Sequence, residues 1–349
     1  MSAVETSFKV AAVQAAPVFL DLSASVEKAI ALAQEAARRG CKLLVFPELF
    51  LPGYPFWIWL GAPAWGMQFV RRYHESSLVA GDRYHRALEE AAAKYGIAMV
   101  IGCSERDHGT LYISQVMIDG DGRTLRIRRK LRATHAERTV FGEGSGADLA
   151  VFDTSVGRLG AFSCWEHIQP LNRYALFAQH EQIHAASWPV FSLYPGRAYA
   201  LGPEVNLAVT QSYAVEGQCF VVSACGVVDE GMIDTLIQQP GQDEMLLRGG
   251  GYARVYAPDG RSIGVDVPAD QEGLVVAEVD LGAIALAKSI GDPVGHYARP
   301  DVTRLWLNSA EHTPVELVTA NVHRPPGEPA LHTRASPDVA AGMVGDAQG

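Results

Sequence analysis

Over its first three hundred residues the chain alternates short β-rich apolar runs with stretches whose apolar residues recur at helical spacing, and this alternation confines it to the α/β folds. Phe8 to Ala15 reads as a buried strand; Leu22, Val26, Ala29, Ile30, Ala33 and Ala37 then line one face of a helix that stops at Gly40. Lys42 to Phe46 is a second strand, Asp82 to Tyr95 a second helix closed by Gly96, and Ile97 to Cys103 a third strand. Leu111 to Ile118 and Thr124 to Arg129 flank Asp119-Gly120-Asp121-Gly122, a turn sequence that supplies positive φ at little cost, so a hairpin is expected and the sheet is mixed. The second half repeats the alternation: strand Leu159 to Ser163, helix Leu171 to His180, strand Ile183 to Ser187, helix Glu204 to Glu216 and strand Cys219 to Ala224. A hairpin around Pro258-Asp259-Gly260 and a strand at Leu274 to Val279 complete it, and the two similar halves imply two mixed sheets covered by helices.

No Pro/Ser-rich or charge-rich linker interrupts this pattern, so residues 1–309 are expected to form one domain. After about Leu307 large apolar residues become scarce, and residues 310–349 read as a flexible, assembly-linked tail. A hydrophobic fraction of 48% is ample for a large core, while a formal net charge of -10 argues against nucleic acid or an anionic membrane as partner. The start, Met1 to Glu5, lacks the features of a signal peptide, and no apolar run is long enough to span a bilayer, so a cytoplasmic location is expected. Five cysteines without a C-x-x-C pair read as free thiols.

Three residues stand where an α/β sheet presents reactive groups, at strand ends. Glu48 follows the apolar run Leu43 to Phe46, Lys130 ends the hairpin strand, and Cys164 ends Leu159 to Ser163 just before a helix opened by Pro170. Each has an ordinary alternative: a charged residue at a strand end is usually solvated, and a free cysteine is often a small buried hydrophobe. Aromatic residues cluster after these strand ends, in Tyr54-Pro55-Phe56-Trp57-Ile58-Trp59 and at Trp165, Trp188, Phe191 and Tyr194, as an apolar pocket or as ordinary packing. His180-Glu181-Gln182-Ile183-His184 matches the zinc-protease pattern H-E-x-x-H, which works only within one helix. Here the first histidine closes a helical stretch and the second lies in a strand, so the two imidazoles share no face.

Taken together, Val45-Phe46-Pro47-Glu48, the stretch Arg129-Lys130-Leu131 through Thr134-His135-Ala136-Glu137 to Gly144, Cys164-Trp165-Glu166-His167 and Gly291-Asp292-Pro293 through Tyr297 resemble the nitrilase branch of the carbon-nitrogen hydrolase superfamily over roughly residues 8 to 307. The resemblance implies a four-layer αββα sandwich. It also implies a triad in which Glu48 is the general base and acid, Lys130 the cationic stabiliser and Cys164 the nucleophile, with Glu137 as a second carboxylate. No metal or organic cofactor is implied, and the chain is expected as a homo-oligomer built from dimers, in a family whose members form helical filaments. His167 stands where many members carry Asn and where those similar to arylacetonitrilases carry His; Arg132-Ala133 replaces a frequent Lys-Pro. With the Trp59 to Trp65 run, this points to a small arylacetonitrile-type substrate bound by Tyr54, Trp59, Trp165, His167 and Trp188. An amidase or cyanide-degrading enzyme shares the same triad. A zinc peptidase using His180 and His184, or a scaffold without activity, are the readings from other classes.

Overall fold

The chain opens with a strand that becomes the centre of the structure, β1 (Ser7–Ala15), because its residues are apolar on both faces and can be covered on both. The structure, a computed structural model, describes residues 6–312 and residue 315; the expected tail therefore lies, from residue 313 on and residue 315 apart, outside the described residues. Helix α1 (Leu22–Arg38) follows, started by Asp21, whose side chain accepts from the Ala24 amide, and leads to β2 (Cys41–Val45). Next come α2 (Trp57–Leu60), α3 (Pro63–Glu75) and α4 (Arg83–Tyr95), the last ended by Gly96 at φ 60. Strands β3 (Ala98–Asp107), β4 (Thr110–Ile118) and β5 (Thr124–Arg129) form an antiparallel meander.

The second half contains β6 (Phe152–Thr154), β7 (Gly157–Ser163), α5 (Pro170–Phe177), β8 (Ile183–Trp188), α6 (Pro203–Gly217) and β9 (Phe220–Gly226). It ends with α7 (Glu230–Leu236), β10 (Arg254–Tyr256), β11 (Ser262–Ile263), β12 (Gly273–Asp280) and α8 (Gly282–Ile290). All the strands and helices read from periodicity are present. The sequence reading omitted α2 and α3, whose aromatic residues mask helical spacing, as well as α7 and α8.

Strands β5-β4-β3-β2-β1-β12 make one half-sheet and β6-β7-β8-β9-β10-β11 the other. The two expected sheets are continuous at one corner, where Gln14 and Ala15 pair with Cys225 and Gly226. Alternation along the strands divides the core. Val10, Ala12, Leu43, Val45 and Val100 pack with Leu159, Ala161, Ile183, Ala185 and Val222 between the halves. Their neighbours Ala11, Val13, Leu44, Met99 and Ile101 face Val26, Ala29 and Ala33 of α1 and Leu88 and Ala92 of α4. Leu176, Phe177, Tyr213 and Ala214 of α5 and α6 cover the second half, which completes the αββα order. No helix among the described residues is long and apolar enough to cross a membrane.

One glycine sets how closely the loop after β2 approaches β3. A Cβ on Gly102 would lie 2.1 Å from the Pro47 carbonyl oxygen and 2.9 Å from Glu48 Cα. Gly102→Ala must therefore push the Pro47–Glu48 segment away, at a cost of about 1–3 kcal/mol for overpacking. Urea denaturation is expected to show that loss, and an unchanged midpoint would refute the contact.

Candidate active site

The reactive groups come from strand ends in both half-sheets. Glu48 follows β2, and its amide donates to the Trp188 carbonyl at the end of β8, 3.1 Å away. Ser187 Oγ donates to the Phe46 carbonyl at 2.9 Å, and Gln115 of β4 reaches Ser187 Oγ at 2.8 Å and the Phe162 carbonyl at 3.2 Å. These bonds lock the two halves together at the level where Glu48, Lys130 and Cys164 emerge.

Lys130 Nζ lies 2.8 Å from Glu48 Oε1 and 2.8 Å from Glu137 Oε2, and all three residues are buried. Glu137 sits in a 3-10 turn, His135–Thr139, where its Oε2 also accepts from the Thr134 amide at 2.6 Å. The Tyr54 hydroxyl donates to Glu137 Oε1 at 2.8 Å and accepts from the Trp59 indole at 3.1 Å. One carboxylate oxygen of each glutamate and the Cys164 sulfur lie within 4.8 Å of one another. Those three groups could form a cation site, but the Lys130 ammonium is already bonded to both carboxylates.

Charge in this buried cluster balances when one carboxyl keeps its proton. Burial pushes Glu48 up to about 8, against the pull of Lys130 and with a push from Glu137. Burial alone would lower Lys130, but Glu137 and Glu48 outweigh it and hold the ammonium well above the usual lysine range. Burial and the Glu48 carboxylate raise the Cys164 thiol well above its ordinary value, so the thiol rests protonated. Glu48 Oε2 is buried without a hydrogen-bond partner, an acceptor free for that proton.

Cys164 adopts φ 51 at the junction of β7 and a 3-10 turn, Cys164–Ile168. A left-handed non-glycine residue needs local support. Glu166 supplies it: its carboxylate accepts from the Ser163 amide at 3.0 Å, from the Leu131 amide at 2.9 Å, and from Arg128 at 2.8 and 2.6 Å. Strand β5, which leads into Lys130, is thereby tied to the turn that carries Cys164. Sequence reasoning missed this Arg128–Glu166 pair. Its signal was period two, since Arg128 and Lys130 share a strand face.

A cavity of about 40 Å³ opens on Cys164 and Glu137 and is lined by Tyr54, Phe56, Trp59, Thr134, Trp165, Trp188, Val190, Phe191 and Leu193 among others. Four of the five expected pocket residues, Tyr54, Trp59, Trp165 and Trp188, are therefore brought together. His167 is not among them: its ring is fully buried, stacked on Trp188, because three residues of 3-10 turn carry it to the core side. A larger cleft of about 840 Å³ shares Thr134 and Trp165 with the cavity, but the Cys164 thiol does not line it. The H-E-x-x-H histidines are separated as the sequence implied, His180 exposed at φ 59 beyond α5 and His184 buried in β8.

The family model of carbon-nitrogen hydrolases matches residues 9–289. The chain is 53% identical over 300 residues to a nitrilase of Pseudomonas syringae, covering 86% of this chain and 89% of that one. It is 47% identical to an aliphatic nitrilase of Rhodococcus rhodochrous (91% and 87% covered) and 46% identical to an arylacetone-specific nitrilase of Alcaligenes faecalis (94% and 93%). In fold it is similar to the NitFhit protein of C. elegans, with a TM-score of 0.67 at 18% identity over 87% of this chain and 68% of that one.

Removing Arg128 would strand the Glu166 charge in the core. Arg128→Met is expected to cost about 3–5 kcal/mol in chemical denaturation. Although burial works to raise Glu166, Arg128 and the Ser163 and Leu131 amides hold it below the usual range. Its stabilisation is then full above the unfolded carboxyl pKa of about 4.3 and lost as pH falls through the folded value. The substituted protein should lack that acid-side slope; a wild-type slope in it would contradict the pairing.

Proposed function

Because the chain belongs to the carbon-nitrogen hydrolase family, we propose that it is a nitrilase that converts an organic nitrile and two waters to a carboxylic acid and ammonia, with Cys164 as nucleophile. The observation that carries this reading is the convergence of the Cys164 sulfur with Glu48 and Glu137 within 4.8 Å, around an ammonium bonded to both carboxylates.

A nitrile carbon is a weak electrophile, and sulfur is the side-chain atom best suited to attack it. In the form with Glu48 ionised, Glu48 takes the thiol proton as the sulfur–carbon bond forms, and the nitrile nitrogen, stabilised by Lys130, is protonated to give a thioimidate. Water adds with Glu48 as base; the carbon–nitrogen bond of the tetrahedral adduct breaks, ammonia leaves, and a thioester remains. A second water releases the acid and restores the thiol. If the carbon–sulfur bond of the adduct breaks instead, an amide is released. General acid–base catalysis contributes about 10² to 10⁴, so Glu48 carries much of the rate. Glu137 positions the ammonium, and Tyr54 and Thr134 in turn hold Glu137.

Tyr54, Trp59, Trp165 and Trp188 form an aromatic wall that suits an arylacetonitrile. The cavity as it stands accommodates about one water, so an aromatic ring enters only with displacement of part of that wall. The five unpaired cysteines support a reducing, cytoplasmic setting. Exposed Leu286, Ile290 and Trp306 offer apolar surface for association with another copy; a homo-oligomer built from dimers, with residues 1–309 as the enzyme domain and the segment beyond serving assembly, is part of this proposal.

Cys164→Ala is expected to abolish ammonia release from phenylacetonitrile while leaving the circular dichroism spectrum unchanged. Lys130→Ala should lose at least about 10² in kcat, the worth of a preorganised charge in a dry site. Acid production at the wild-type rate by either variant contradicts its assigned role. Faster turnover of short aliphatic than of aromatic nitriles would overturn the substrate class alone.

A further inference from the structure

Glu181 and His184, the buried half of the H-E-x-x-H sequence, take part in a row of hydrogen bonds that ends on the nucleophile's own backbone. Tyr213 donates to Glu181 Oε2 at 2.7 Å. Glu181 Oε1 lies 2.7 Å from His184 Nδ1, His184 Nε2 lies 3.0 Å from His167 Nε2, and His167 Nδ1 lies 2.6 Å from the Cys164 carbonyl oxygen. Tyr213, His184 and His167 are fully buried and Glu181 is 2% exposed. None of these four side chains lines the cavity. Room for the carboxyl exists only because residue 160 is glycine, where a Cβ would meet Glu181 Oε1 at 2.0 Å.

The positions of the protons follow from elementary chemistry. A carbonyl oxygen only accepts, so His167 carries its proton on Nδ1. Neutral His167 then accepts at Nε2, which requires a proton on His184 Nε2. The remaining contact between His184 and Glu181 needs one more proton, held by Glu181 as a neutral acid or by His184 as an imidazolium beside a carboxylate. Both arrangements are neutral overall. Burial favours the first, because it pushes Glu181 up to about 8 and both imidazoles well below their ordinary range. From Glu181 to the Cys164 carbonyl, every bond then points the same way.

The Cys164 carbonyl and the Trp165 amide belong to one planar peptide and point in opposite directions. Donation to the oxygen therefore fixes where the N–H points and strengthens it as a donor. Burial pushes the Cys164 thiol up, and the Trp165 amide works in the opposite direction, lowering it. We propose that Glu181, His184 and His167 are positioning residues: a buried relay that holds the Cys164–Trp165 peptide so that its N–H faces the sulfur and the adduct built on it. This rests on the assignment of Cys164 as nucleophile.

Two near-isosteric substitutions separate the relay from mere packing. Glu181→Gln keeps a donor for His184 and an acceptor for Tyr213, whereas Glu181→Leu keeps the volume and removes both. Cys164 is the only one of the five cysteines that is not buried, so iodoacetamide reports on it without any need for turnover. At pH 7 the glutamine variant should stay within about threefold of wild type in alkylation rate and in kcat per alkylatable thiol. The leucine variant should lose about tenfold or more in both, the worth of one hydrogen bond, with KM changed less than about threefold. Equal behaviour of the two variants overturns the relay. If the leucine variant does not fold, the infrared difference between wild type and Glu181→Gln decides: a protonated-carboxyl band in wild type supports the relay and its absence overturns it. A wild-type protein that alkylates at Cys164 yet releases no ammonia from any nitrile defeats the functional reading and leaves this test intact.

Discussion

A lysine ammonium buried between two carboxylates is the interaction on which the rest of this site depends. Taking each ion out of water costs several kcal/mol, and mutual attraction repays it only where geometry is good and the charges balance. Lys130 meets the first condition with two bonds of 2.8 Å. The second requires that Glu48 hold a proton for much of the time, consistent with its rise to about 8. Burial first, and then the neighbouring carboxylates, keep the Cys164 thiol protonated at rest, because a further negative charge in this cluster is costly. In the proposed reaction, sulfur loses its proton only as electron density moves to the nitrile, so ionisation and bond formation become linked.

That balance holds only if the two half-sheets stay in register. Glu48 and Lys130 belong to one half and Cys164 to the other. The Gln115–Ser187–Phe46 bonds and the Arg128–Glu166 pair span the gap between them. Gly102 lets the Pro47–Glu48 segment approach close enough to join them. These are packing devices, yet each one sets the position of a reactive atom. The small aromatic cavity adds a further constraint, since any molecule that reaches Cys164 through it must fit against Trp59, Trp165 and Trp188 or displace them.

Behind the cavity, Glu181 and His184 illustrate how spacing can mislead when the element is wrong. Four residues apart, histidines share a face only on a helix. Here α5 ends at Phe177 and the chain has re-entered a strand by Ile183, so His180 faces outward and His184 inward. His167 was misplaced for a related reason: a 3-10 turn rotates it away from the cavity that its neighbours Cys164 and Trp165 line.

Local patterning in the sequence determined the strands and helices built on clear periodicity, the mixed character of the sheet, and the placement of Glu48, Lys130 and Cys164 at strand ends; the family motifs then named their partners. This was possible because periodicity records which face of an element meets apolar surroundings, and that information lies within a few neighbouring residues. Helix α3, the corner joining β1 to β9, the Arg128–Glu166 pair, the burial of His167 and the cavity size were decided by tertiary structure alone. Each depends on how segments many residues apart approach one another, and on the rotation of a turn that no short stretch of sequence specifies.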